Sequence, residues 1–78
     1  MDDETGIIEI VAERVKRGRL AAGLSQEELA FEAGLDRTYI SQVERCKRNV
    51  TVVVLARIAR ALKTTPDRLL TPLRKGRA

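Results

Sequence analysis

Histidine is absent from these 78 residues, cysteine occurs once, and the aromatics are one tyrosine and one phenylalanine. Each shortage closes off a class of chemistry. Without histidine there is no imidazole acid–base catalysis, and a zinc site is nearly excluded. Cys46, alone, cannot close an internal disulfide. There is no glycine-rich phosphate loop. There is also no signal peptide and no long apolar run, so the expected location is the cytoplasm. The chain is therefore expected to be no enzyme and to need no cofactor, metal, small-molecule ligand or membrane. With Phe31 and Tyr39 as the only large rings, the core must be aliphatic. A chain of this length is one small domain that buries roughly 60–65% of its unfolded surface, so self-association would add needed stability.

Charge is present in quantity and unevenly placed. The net charge is +4, but residues 1–36 carry four basic against nine acidic groups, a balance of −5. Residues 37–78 carry eleven basic against two acidic, a balance of +9. Charge of one sign gathered in one part of a small domain is the footprint of a polyanionic partner.

Apolar spacing is helical and no strand-like alternation runs along the chain, which predicts an all-α fold. Residues 1–6 are expected to form a disordered N-terminal segment, 7–73 the domain, and 74–78 a basic tail. The first helix is predicted from Ile7 to Ala22, with Ile8, Val11, Val15 and Ala22 on one face, Gly18 at a close helix contact and Gly23 as the C-terminal stop. Ser25 and Glu28 form a capping box for the second helix. Glu27 and Glu28 sit at the positive end of that helix dipole, a structural role that needs no catalysis. Asp36 caps a third helix running to about Arg45, and Thr51 a fourth running to about Leu62. Val50–Leu55 is β-branched enough to be read as a strand, but Leu55, Ile58, Ala59 and Leu62 continue at helical spacing. Thr65 and Pro66 open a short fifth helix that Pro72 ends.

The second and third helices meet at one glycine in QEELAFEAGLDRTYISQVER, Gln26–Arg45. Ala30 permits close approach and Gly34 supplies a left-handed turn. Ile40 and Val43 face inward, leaving Arg37, Thr38, Ser41 and Gln42 outward. That is a helix-turn-helix able to enter the DNA major groove. Arg37 and Thr38, in the first turn, are the leading base readers: arginine grips guanine O6 and N7 in two places. The alternative for Arg37 is a phosphate. Gln42 suits adenine or stays solvent-exposed, and Ser41 reaches a base or a phosphate. Tyr39 donates to a phosphate or is a half-buried packing residue. Arg45, Lys47 and Arg48 hold the DNA backbone, with a base edge as the other option for Arg48. The fourth helix is too apolar for one buried stripe. Val52 and Val53, with Leu70 and Leu73, make up an expected dimer patch.

GLSQEELAFEAGLDRTYISQVER, then RN, then VLARIARAL, resembles the lambda-repressor-like, five-helix DNA-binding domains of the xenobiotic-response-element family, from about Val11 to Leu70. LDRTYIS at residues 35–41 looks most like the small controller proteins of restriction–modification systems. The resemblance implies a homodimeric transcriptional regulator on double-stranded, pseudo-palindromic operator DNA. Controller proteins further imply autoregulation, and activation would bring RNA polymerase as a partner, met by Glu27, Glu28 and Glu32. A phage-type repressor and an antitoxin are the alternatives. The resemblance also implies a phosphate contact for Gln26 and an architectural ion pair between Arg19 and Glu44. One departure stands out: Cys46 occupies a position where the family has glycine, so either the loop takes another path or a left-handed cysteine is tolerated.

Overall fold

Apolar spacing and end signals divide the chain into α1 (Ile7–Ala21), α2 (Gln26–Ala33), α3 (Arg37–Glu44), α4 (Val52–Ala61) and α5 (Pro66–Leu69). The computed structural model describes residues 3–73; Met1, Asp2 and the expected basic tail at 74–78 lie outside the described residues. Among the described residues there is no strand. The β-branched run enters α4 because the Thr51 hydroxyl accepts the Val54 amide at 3.1 Å and nucleates the first turn.

The other helix starts are set in different ways. Ser25 and Glu28 form the reciprocal capping box: the Glu28 amide donates to Ser25 Oγ at 3.0 Å and the Ser25 amide to Glu28 Oε1 at 2.7 Å. Asp36 and Thr65 hold extended cap backbone but make no side-chain cap hydrogen bond. At the head of α1, Asp3 does the work instead. Its carboxylate accepts the Thr5 hydroxyl, the Thr5 amide at 3.0 Å and the Ile8 amide at 2.8 Å. These bonds, that of the Thr5 hydroxyl foremost, hold its carboxyl below the usual carboxylate range. Asp3 thereby links the segment ahead of α1 to the first turn of that helix.

Twelve aliphatic residues form the core among the described residues, drawn from all five helices. Val11, Ala12 and Val15 come from α1, Leu29, Ala30 and Ala33 from α2, and Ile40 and Val43 from α3. Leu55, Ile58 and Ala59 come from α4 and Leu69 from α5. Burying Leu29, Ile40 and Ile58 completely stabilises by about 2 kcal/mol each. Ala22, expected on the buried face, is exposed: α1 stops at Ala21 and the chain bends away before that face can continue. Gly18 does mark a close contact, since a Cβ there would lie 3.1 Å from Leu62 Cδ1. The helices pack α2 on α3 and α4, α1 on α3 and α5, and α4 on α5. One side of α3 is covered by α1 and α2, and the other is free.

Candidate nucleic-acid interface

The turn that aims α3 is closed by backbone and then clamped from outside. Gly34 sits at φ 70°, ψ 36°. Around it the Leu35 amide donates to Ala30 O at 2.8 Å and the Gly34 amide to Phe31 O at 3.2 Å, the paired bonds of a Schellman ending. Arg57 reaches over from α4, its Nε donating to Ala33 O at 3.0 Å and its Nη2 to Gly34 O at 2.6 Å. A guanidinium on the last carbonyls of α2 is favoured by the helix dipole as well as by the hydrogen bonds. A Cβ on residue 34 would lie 2.6 Å from Arg57 Nη2, so a side chain here would strain the left-handed backbone and push the guanidinium off its carbonyls. The sequence reading missed Arg57, because a basic residue on a helix face ordinarily reads as solvated.

A second lock holds the far end of α3. Arg19 and Glu44 meet face to face, Nε to Oε2 at 2.7 Å and Nη2 to Oε1 at 3.1 Å, with side chains 11% and 4% exposed. Arg19 Nη1 also donates to Leu24 O at 2.9 Å, and Gln26 Nε2 to Glu44 Oε1 at 3.1 Å. The Glu44 hydrogen bond raises the Arg19 pKa against the opposing effect of burial. One carboxylate thereby joins α1, α2 and α3. Among the described residues no buried side-chain nitrogen or oxygen lacks a partner. Gln26, expected at a phosphate, spends one amide hydrogen on this network. Its other amide hydrogen and its backbone N–H, at the start of α2, remain.

Outside these locks lies the exposed face. Arg37 and Thr38 are exposed in the first turn of α3, and Ser41 and Gln42 are half-buried one turn further on. Spacings of three and four residues put these four side chains on one helix surface, opposite Ile40 and Val43. Gln42 is engaged: Arg48 Nε donates to its Oε1 at 2.8 Å. The same guanidinium carbon lies 4.5 Å from the Tyr39 ring centroid, within cation–π range. Arg45 and Lys47 are exposed beside them. The intervening loop takes the left-handed path, with Cys46 at φ 62°. The Cys46 amide donates to Val43 O at 3.1 Å and the Lys47 amide to Gln42 O at 2.8 Å. Cysteine therefore fills the glycine position without rerouting the chain, and its thiol is exposed.

Val52 and Leu70 border this face beside Arg48 and Asn49, with Val53 next along α4. Val52, Val53 and Leu70 are 81%, 64% and 41% exposed, and Leu73 is half-buried. Ile7, Ile8, Arg48, Val50, Val52 and Leu70 line a mainly apolar groove of about 200 Å³. No described helix is long and apolar enough to cross a membrane. Among the described residues no His, Cys, Asp or Glu grouping is arranged to hold a metal ion.

A recognition helix locked at both ends, with its donor-rich side open, defines the class: a helix-turn-helix DNA-binding regulator. The helix-turn-helix family HTH_3 matches residues 15–69, and the chain belongs to it. Control protein C.SmaI of Serratia marcescens is 52% identical over 65 residues, spanning 83% of this chain and 77% of the relative. The crystal structure of the restriction–modification controller protein C.AhdI from Aeromonas hydrophila superposes with a TM-score of 0.77 at 45% identity, covering 80% of this chain and 94% of that one. The controller protein C.Esp1396I, solved as a tetramer with its natural 35 base-pair operator, superposes at 0.75 and 38% identity, covering 81% and 82%. Within the family, the chain is closely related to these restriction–modification controller proteins.

Proposed function

We propose that this protein is a restriction–modification controller: a cytoplasmic homodimer that binds a pseudo-palindromic operator, regulates its own gene and has no catalytic role. The observation that carries this is the open face of α3, held by buried polar contacts on a scaffold 52% identical to control protein C.SmaI. Arg37, Thr38, Ser41 and Gln42 read bases, and the N-terminal turn of the helix enters the major groove. Gln26, Tyr39, Arg45, Lys47 and Arg48 hold phosphates, which sets register and makes affinity fall with salt. Val52, Val53, Leu70 and Leu73 meet their counterparts across a two-fold axis. Two recognition helices roughly 34 Å apart then read half-sites one DNA turn apart. At a promoter, Glu27, Glu28 and Glu32, grouped around Phe31 with its ring 84% exposed, offer RNA polymerase an acidic surface with an apolar centre.

Selection of bound sequences from random DNA tests this reading. A palindrome with half-sites one turn apart is expected. Arg37→Ala is expected to lose about 1–3 kcal/mol of discrimination at one base pair in each half-site and to shift stability by no more than about 0.5 kcal/mol. Enrichment of no sequence, or of a single asymmetric site, overturns it.

A further inference from the structure

Gln42 has an unequal amide. Its Oε1 accepts Arg48 Nε at 2.8 Å, while Nε2 has two N–H groups left to give. The arrangement cannot be reversed. A guanidinium only donates, so turning the amide over would set N–H against N–H. Arg48, itself exposed, rests on Tyr39, its guanidinium carbon 4.5 Å from the ring centroid. The loop that carries it is held by the bonds of Cys46 and Lys47 back to Val43 and Gln42. Arg48, resting on Tyr39, thus sets the direction of the Gln42 amide.

The direction bears on which base is read. Glutamine pairs with adenine by accepting from N6 and donating to N7 together. In this protein the accepting oxygen faces a cation, and a cation beside it repels the adenine N6 donor. What remains to meet a base is the donor pair of Gln42 Nε2. The base edge that best complements two donors is guanine, with the acceptors N7 and O6 side by side; thymine offers one acceptor beside a methyl group. We propose that Arg48 is a positioning residue that turns Gln42 into a donor-only reader of guanine and excludes adenine. This rests on the DNA-reading face proposed above, reassigns Arg48 from phosphate grip to base selection, and replaces adenine as the partner of Gln42.

The test is selection from random DNA with the wild type, Gln42→Ala and Arg48→Met. Methionine keeps an apolar chain over Tyr39 but donates nothing. In the wild type, the position whose preference disappears in Gln42→Ala is expected to be guanine, favoured over adenine by about tenfold, the scale of a good base contact. In Arg48→Met, adenine at that position is expected to rise to within about twofold of guanine, with preferences elsewhere unchanged. Weaker binding by Arg48→Met with the same preference at every position makes Arg48 a phosphate contact and overturns the proposal. A wild-type preference for adenine at the Gln42-dependent position overturns it as well. A second measurement needs no variant: 7-deazaguanine at that position, which lacks the N7 acceptor, is expected to weaken wild-type binding about tenfold, and unchanged binding counts against the proposal. A wild type that enriches no sequence overturns the DNA-reading face itself, and this inference with it.

Discussion

The chain turns left-handed at both ends of its recognition helix, and the two turns are built differently. Before α3 the residue is Gly34, and after it Cys46. Both close with the same pair of backbone hydrogen bonds. At Gly34, Arg57 stands where a side chain would go. At Cys46 the side chain is exposed. The backbone alone therefore tolerates a side chain at a cost of about 1–2 kcal/mol, and the cost rises where a neighbouring guanidinium has taken the space. Side chains from other helices clamp both ends of α3, Arg57 on the carbonyls of Ala33 and Gly34 at its entry and Arg19 with Gln26 on Glu44 at its exit.

Three substitutions test that contrast. The largest loss is expected from Glu44→Ala, which strands Arg19 and frees Gln26 at once. Removing one partner from a buried ion pair predicts a loss of about 4 kcal/mol. For a domain of this size that lowers the melting temperature by about 20 °C. DNA affinity per folded molecule should fall far less, as measured by titration below the melting range. The reverse ranking would make Glu44 part of the reading face rather than its support. Gly34→Ala comes next, at about 3 kcal/mol, combining left-handed strain with displacement of two charged hydrogen bonds. In an Arg57→Ala background the same change should cost only about 1 kcal/mol. Equal costs in the two backgrounds, read by chemical denaturation, would mean that Arg57 clamps nothing. Cys46→Gly should act in the opposite direction, stabilising by about 1 kcal/mol and raising the melting temperature by about 5 °C. A destabilised glycine variant would show that the cysteine side chain contributes packing that offsets its strain.

What the sequence made legible was local. The Ser25–Glu28 box, the Thr51 cap, the glycine turn and the apolar sides of α3 and α4 depend on residues a few positions apart, which helical geometry relates directly. Asp36 and Thr65 were legible as boundaries, though neither side chain makes the bond that usually explains its preference. Contacts between long side chains were not legible. Arg57 reaches a carbonyl 24 residues away and Arg48 reaches Gln42 across a loop. No periodicity encodes either, because an arginine on a surface helix looks the same whether it is solvated or clamping. The Arg19–Glu44 pair entered only through resemblance to a family, and the role of Gln26 in it not at all. Ala22 was misplaced for a related reason: spacing tells which side a residue takes, not whether the helix lasts long enough to use it.

The recognition helix has eight residues, a rod of about 12 Å. Helices shorter than roughly 12–15 residues scarcely form alone in water, so α3 persists only while Glu44, Arg57 and the core beneath it hold. The surface that reads DNA consequently has no existence apart from the folded chain. A single proteolytic cut between α1 and α4 would leave no fragment that competes for the same site. Loss of the fold and loss of the DNA-facing surface are thus one event.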